Sequence, residues 1–575
     1  MMKISSLTIR WAMALMLPLA AAAAANSGAT GAPGEAFPEM RALWDRQPGP
    51  SSEPASPQEQ LFRRAESQAR SASEALYRCR RYLDGWLAEA DPETGLIPRN
   101  LRESRDFWNG RDSAADNYPF MVLTAALIDP ALYQGRMLDM LRTEQRLTAR
   151  LDRLTDDYSF SKRGWRREPF LLDATIFDSA EYVKDGLVPL TEWLGPTPWS
   201  ERMIGLVDDI WKHAAVQTPF GKIPTEVFEV NGDLLQACSR LFWLTGDRRY
   251  LDWAIRLGDY YLLGSHHPTR DLPSLRLMDH GGEVVNGLTE LYVAVARIAP
   301  EKQRAYAQPL HDLLDCILEK GRNPDGMLYT SFQPRTGEHA AGLCDTWGYI
   351  YAGFHTVWVV DGTAAYRDAV RHALGSLDGK YEGRCWADKA ADGLADSIEG
   401  ALNLIHCAPD DSVHGWIDRQ TRLMWAAQQT NGIIEGWHGD GNFARTSILY
   451  ALWKTAGLHV DPWRPDVRVG AVLDQGVLYA SLAADSPWRG NLRFDRPRHR
   501  DCLRLPLDYP RINRFPEWFA VEKDRPYSVA LTAADGRRPR TRVYDGRQLA
   551  AGLPLELEPG RELRITCAPI PPLSQ

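Results

Sequence analysis

The chain has 575 residues, 44% of them hydrophobic and 25% charged, with a formal net charge of −8 at pH 7. So mild an acidic balance, with Lys and Arg scattered rather than massed, excludes an extended nucleic-acid surface. Eight cysteines occur without CxxC or other metal-type spacing, so no metal and no cofactor are expected, and the thiols read as mostly buried, with room for one or two bridges.

In chain order, Lys3 and Arg10 precede an apolar run from Trp11 to Ala25 that ends in small residues. This is the pattern of a secretory signal peptide over residues 1–25, which predicts a periplasmic or extracellular protein. The run is too short to cross a bilayer comfortably and no comparable segment follows, so membrane insertion is not expected. Residues 26–57, rich in Ala, Gly, Pro and Ser, read as a flexible linker.

Residues 58–460 carry a repeat. "ETGLIPRNL", "PFGKIPTEV", "PDGMLYTSF" and "TNGIIEGWH" are each a Gly turn followed by a short apolar piece, with glycines at Gly95, Gly221, Gly326 and Gly432. Halfway markers such as "YSFSKRGW" and "DLPSLRLMDH" reduce the period to about 56 residues, enough for two helices and their connections. Between markers, apolar residues recur at helical spacing. "LLQACSRLFWLTGDRRYLDWAIRLGDYYLL" shows the unit: a helix apolar nearly all round, a TGD turn, then an amphipathic helix. The first kind belongs inside and the second outside. Inner helices are predicted to start near Asp112, Asp178, Glu229, Glu283, Asp345, Asp396 and Asp440, and outer ones near Pro57, Ala131, Pro198, Arg248, Glu301, Gly362 and Ser412. The expected fold is mainly α, an (α/α) toroid of six to seven helical hairpins, with the polar starts of the inner helices gathered at one cavity. Residues 461–575 alternate as strands joined by DG turns and read as a small antiparallel β-sandwich, without an acid or His cluster of its own.

Together these features resemble the six-hairpin glycosidase superfamily and the related (α/α)-toroid polysaccharide lyases, over roughly residues 58–575. The resemblance implies an enzyme acting on polysaccharides outside the cytoplasm. A count of seven units is similar to the seven-hairpin toroids among uronate-polymer lyases. Twenty Trp and twenty-one Tyr, several beside acids, suit the stacking of pyranose rings, although Trp243, Trp253 and Trp453 read as core.

A glycoside hydrolase needs a protonated acid and a second carboxylate. Asp116 in "ADNYPF" is the first candidate, followed by Asp345 in "CDTWGYIY" and by Glu435 and Asp440, which flank His438. For every acid at a helix start, capping is the competing role. Asp396 and Glu399, three apart on one face, read as a pair for backbone or Arg. Expected substrate-binding residues are Trp108, Asn109, Arg111, Asp112, Asn117, Glu229, Asp279, His280, Glu283, Trp347, Tyr349, Trp437, Asn442 and Arg445. The partner is an oligo- or polysaccharide, read as uronate-containing because Arg111 and Arg445 could hold its carboxylate. A lyase is the alternative, with Tyr118 or His438 as base and Asn117, Asn442 or Arg445 neutralising the uronate. A sugar epimerase using His266, His267, His280, His355 or His406 and a non-catalytic binder complete the alternatives. Oligomeric state has no signal in the sequence.

Overall fold

The computed structural model describes residues 56–384, 386, 391–533 and 539–571. The predicted signal peptide and all but the end of the predicted linker lie outside them. Among the described residues no helix is long and apolar enough to cross a membrane.

Fourteen helical segments follow one another from Pro57 to Thr455, outer and inner in turn. The outer ones are α1 (Pro57–Ala88), α3 (130–148), α5 (Pro198–Lys212), α7 (248–263), α9 (Pro300–Lys320), α11 (Ala364–Lys380) and α13 (His414–Ala426). The inner ones are α2 (110–128), α4 (172–194), α6 (Phe228–Thr245), α8 (Glu283–Ile298), α10 (Trp347–Asp361), α12 (Asp392–Cys407) and α14 (Asn442–Thr455). Local chemistry sets the boundaries. Ser56 accepts from the Glu59 amide at the head of α1, a Thr197–Ser200 capping box starts α5, and Gly246 ends α6 in the left-handed conformation that the TGD turn requires. Every residue of α14 is buried, whereas α7 buries one stripe containing Tyr250, Leu251, Ala254 and Leu257. That difference in patterning decides which helices go inside.

Each inner helix packs on the next, from α2 through α14, and α14 packs back on α2. The ring is closed, with seven hairpins among the described residues. The inner helices begin within a few residues of the predicted acids, with one exception. α4 starts at Leu172, so Asp178 lies two turns inside it. Two inner helices contain π-helical turns, Gly110–Asn117 opening α2 and Tyr182–Leu187 in the middle of α4. The two turns meet at Gly186, where a Cβ would stand 3.0 and 3.2 Å from the carbonyl oxygens of Ala114 and Ala115. Only a residue without a side chain fits there.

Eight strands follow: β1 (His459–Asp461), β2 (Val467–Asp474), β3 (Val477–Ala484), β4 (Trp488–Arg493), β5 (Pro526–Ala533), β6 (Arg540–Asp545), β7 (Leu553–Leu557) and β8 (Leu563–Pro569). They form two antiparallel sheets, ordered β2-β3-β8-β5-β6 and β1-β4-β7. A core that includes Leu478, Leu482, Leu492, Val529, Leu555 and Ile565 fills the sandwich. The larger sheet lies on α1 through Phe62 against Tyr479, with ring centroids 5.6 Å apart, and through the Arg564–Glu59 ion pair.

The sandwich also reaches into the toroid, and beside that contact it carries an acid and His group of its own, His499, Asp508 and Glu517, where none was expected. The segment from Cys502 to Pro516 enters the ring from the C-terminal ends of the inner helices. Arg511 pairs with Glu192 of α4 at 2.5 and 3.0 Å, the Tyr509 hydroxyl donates to Glu290 of α8 at 3.0 Å, and Thr356 of α10 donates to the Pro510 carbonyl at 3.2 Å. Behind it His499 lies 2.9 Å from Glu517, and Asp508 receives Arg511 and Arg514. Seven cysteines are free thiols, so no disulfide forms among the described residues. The eighth, Cys385, lies outside them.

Candidate active site

A cavity of about 480 Å³ opens at the N-terminal ends of the inner helices, and all of them except α6 contribute charged or polar side chains to it, directly or from the loop just before them. The wall at α2 carries Asp112 and Asp116, one π-turn apart, with His438 from the loop before α14 lying 3.9 and 3.7 Å from them. Asp112 accepts from Arg99 at 2.6 Å and from Asn109 at 2.5 Å. Burial opposes its ionisation, but His438, Arg99 and Asn109 outweigh burial and hold it below the usual carboxylate range. Among the described residues Asp116 has no such donors. Burial raises it well above that range, His438 opposes, and Asp185, Asp112 and Asp392 add to the rise. Burial disfavours charge on His438 as well, yet Asp116 and Asp112 lift it to about 9.

The next wall repeats the pattern with the protonation reversed. Glu181 and Asp185 stand four apart in α4, and His280 closes a second acid–acid–His group. Burial and the charges of Asp233 and Asp185 raise Glu181 well above its ordinary value. For Asp185 burial is outweighed by Lys184, Glu181 and His280, and the carboxyl falls to about 2. Lys184 donates to Asp185 at 2.7 Å and to Glu283 at 2.5 Å. Asp116 and Asp185 line the cavity, whereas Glu181 is buried behind it. The cavity therefore presents one protonated and one ionised carboxyl from adjoining π-turns.

Around the rest of the wall, Asp345 is pushed up to about 6 by burial and by Asp396. Asp392, pushed up to about 6 by burial and by Asp440, accepts from Asn442 at 2.8 Å. Asp440 accepts from the Ala391 amide at 3.1 Å. Arg445 sits between Asp396 at 2.7 Å and Glu399 at 2.9 Å, and the Tyr349 hydroxyl lies within hydrogen-bond distance of the same two acids, at 2.8 and 2.7 Å. His280 lies 3.1 Å from Asp279 and 3.2 Å from Glu229. Trp437 stands at the mouth, 58% exposed. Ile512, from the sandwich loop, forms part of the floor.

Of the residues expected from sequence, the cavity gathers Asp116, Asp345, Asp440, His438, Asp112, Asp279, His280, Glu283, Tyr349, Trp437, Asn442 and Arg445. Eight others point elsewhere. Tyr118 is buried, donates to the Met137 carbonyl at 2.8 Å and accepts from Trp199 at 2.8 Å, facing the outer layer. Trp108 packs edge-on against Tyr118, and Trp347 donates to Ser397 at 2.7 Å in the core. Asn117 accepts from the Tyr82 hydroxyl. Glu435 is pinned by the Leu101 amide at 2.8 Å and by Arg102 at 2.9 Å. Arg111 is held by Asp178 at 2.5 Å over the Phe177 ring. Asn109 caps α2 by accepting from the Ser113 amide and steadies Asp112. Glu229 lines a neighbouring hollow of about 380 Å³ with Phe228, Tyr260 and Tyr261, which shares Arg276 and His280 with the main cavity. Sequence reasoning missed Arg99, Lys184, Asp185, Asp392 and Ile512. A charged Lys-Asp pair inside the apolar run "YVKDGLVPL" was the available signal, since such a pair is buried only at a cost.

No protein-family model matches the chain, and no curated protein matches it in sequence. Solved structures overlap parts of it loosely. An α-1,6-mannanase from Salegentibacter sp. aligns at 13% identity over 50% of this chain and 89% of its own, with a TM-score of 0.36. A family 76 mannosidase from Bacteroides thetaiotaomicron aligns at 10% identity over 66% and 99%, with a TM-score of 0.37. A cellobiose 2-epimerase from Bacillus thermoamylovorans aligns at 14% identity over 52% and 86%, with a TM-score of 0.34. The chemistry of the cavity stands on its own residues.

Proposed function

We propose that this chain is a glycoside hydrolase acting on a neutral oligo- or polysaccharide, with Asp116 as the proton donor and Asp185 as the ionised partner. The observation that carries this reading is the divergence of two neighbouring carboxyls, one held protonated and one held ionised on adjoining walls of the cavity. Environments that push paired acids apart in this way assign the acid and the base. Asp116 would protonate the departing glycosidic oxygen. Asp185 would take the proton from the water that attacks the sugar carbon, or stabilise the positive charge that develops there.

Charge balance favours a neutral sugar over a uronate. Nine carboxyl side chains line the cavity against four Lys or Arg side chains, and each cation is already paired: Arg99 with Asp112, Lys184 with Asp185, Arg276 with Asp279 and Arg445 with Asp396. Among the described residues no Lys or Arg of the lining is left over for a substrate carboxylate. Of the two bases expected for a lyase, Tyr118 faces away and His438 is cationic at neutral pH. The epimerase alternative meets the same obstacle at His280, raised to about 9 by Asp279, Glu229 and Asp185 against burial. His266 stacks on Tyr260 outside the cavity, and His267 is bound to the Pro309 carbonyl. The hollow beside His280 gives room for a further sugar unit, which suits an oligomeric substrate. Export by the N-terminal segment, also a proposal, would place the enzyme where such polymers occur.

Incubation with a panel of neutral polysaccharides tests the reading. New reducing ends without an ultraviolet-absorbing unsaturated product are expected, and D116N should slow their release by about 10²–10⁴-fold. An unsaturated product would establish a lyase instead, and retention on a polysaccharide gel without turnover would establish a binder.

A further inference from the structure

Asn513 belongs to the sandwich loop, more than three hundred residues from Asp185 in sequence, yet its side chain reaches the catalytic wall. It is 1% exposed and adopts a left-handed backbone with φ of 60°. Its Nδ2 donates to Asp185 Oδ1 at 2.9 Å, its Oδ1 accepts from Arg445 at 2.8 Å, and its amide donates to Glu399 at 2.7 Å. One residue thus ties together charged groups of α4, α12 and α14. Asn is one of the few residues besides glycine that adopts this backbone readily, so the position admits this side chain without marked strain.

The loop does not depend on that side chain for its place. Arg511 on Glu192, Tyr509 on Glu290 and Thr356 on the Pro510 carbonyl already anchor it. What the Asn513 side-chain amide adds is a further donor, on the same Asp185 oxygen that Lys184 contacts at 2.7 Å, beside the Glu181 carboxyl that also hydrogen-bonds Asp185. Donors that converge from separate elements narrow the rotation of a carboxylate more than donors from its own helix alone.

We propose that Asn513 is a positioning residue: the sandwich supplies, through its amide, the contact that holds the Asp185 carboxylate facing the cavity beside Asp116. This rests on the reading of Asp185 as the ionised partner. Asp185 is faced by Lys184 and Glu181 of α4, by Asp116 of α2, by Asp233 of α6, and by His280 and Glu283 at the head of α8. In that company of carboxyls a neutral donor keeps the anion oriented without adding charge.

Two variants of the full chain separate positioning from scaffolding. N513D is nearly isosteric, keeps an acceptor for Arg445 and keeps the backbone donor, but replaces the donor on Asp185 with an acceptor. N513G keeps the left-handed backbone and deletes the side chain. Expected for N513D are a fall in kcat of about 100-fold with KM within about threefold, and an acid limb of the kcat/KM profile moved up by about one pH unit. N513G is expected to lose about tenfold in kcat with the same direction of shift. Crystal structures of both variants should show the Asp185 carboxylate rotated from its present place. The proposal is overturned if both variants keep kcat and the acid limb within twofold of the parent, or if Asp185 is unmoved in both structures. Should the parent cleave no glycoside, the hydrolase reading fails, and the position of Asp185 in the variant structures still decides the role of Asn513.

Discussion

Asp116 and Asp185 belong to π-turns that meet through Gly186, so each acid is next in sequence to the point of contact, Asp116 after Ala115 and Asp185 before Gly186. The charge of Asp185 is one of the reasons Asp116 keeps its proton. D116N should therefore lower kcat on natural glycosides by about 10²–10⁴-fold, the usual worth of a positioned acid. On aryl glycosides with an acidic phenol the loss should be much smaller, because that leaving group needs no proton. Equal losses on both substrates would rule Asp116 out as the acid.

Gly186 offers a test of the shared wall. In G186A the new methyl would meet Pro119 Cγ at 2.7 Å and the Ala114 carbonyl at 3.0 Å, so the two π-turns must part. Overpacking of this kind costs about 1–3 kcal/mol. The variant should remain folded by circular dichroism with a lowered Tm, and should lose more activity than its stability change explains. Unchanged kcat would show that the spacing of these turns does not matter.

Stability should fall as pH rises through neutrality. His280 and His438 are raised from 6.5 to about 9, with burial overcome by neighbouring carboxyls. Their contribution is complete below pH 6.5 and is lost as pH rises through 9. Asp345 and Asp392, at about 6, and Asp396, at about 7, also bind protons more tightly folded than at their ordinary 3.8, so their ionisation destabilises the fold across pH 4–7. Asp185, at about 2, opposes this only in strong acid. Scanning fluorimetry should give a higher Tm at pH 5.5 than at pH 8.5, and the reverse order would contradict these environments.

Arg511 is fully buried and pairs with Glu192, itself 1% exposed. Replacing Arg511 by Met leaves a carboxylate uncompensated inside the ring, at a cost of about 3–5 kcal/mol. Chemical denaturation of R511M should show a midpoint lowered accordingly. The double variant R511M/E192L should recover most of the loss, and failure to recover would mean that the loop, rather than the ion pair, had been disrupted.

The ring itself was legible because its period and the contrast between all-apolar and one-faced helices are local properties. Asp116, Asp345, Asp440 and His438 could be named since each lies just before or at the start of an inner helix. Tyr118, Trp108 and Trp347 sit equally close in sequence and point the other way. Of the three only Tyr118 follows a π-turn, which shifts the facing of every residue after it in a way that no spacing rule written for 3.6 residues per turn predicts. The same irregularity hid Asp185, brought to the cavity well inside α4 rather than at its head. Asn513 and Ile512 were invisible for a different reason, as contacts made across hundreds of residues by a loop with no periodicity leave no trace in a single sequence.

The loop that carries Ile512 and Arg511 turns what could have been a tunnel into a cup. A polymer cannot be drawn through such a vessel from one side to the other, so whatever occupies it must withdraw past Trp437 by the route it came. Long chains would then be worked from their tips or from short exposed stretches, and successive cuts would each require a fresh encounter.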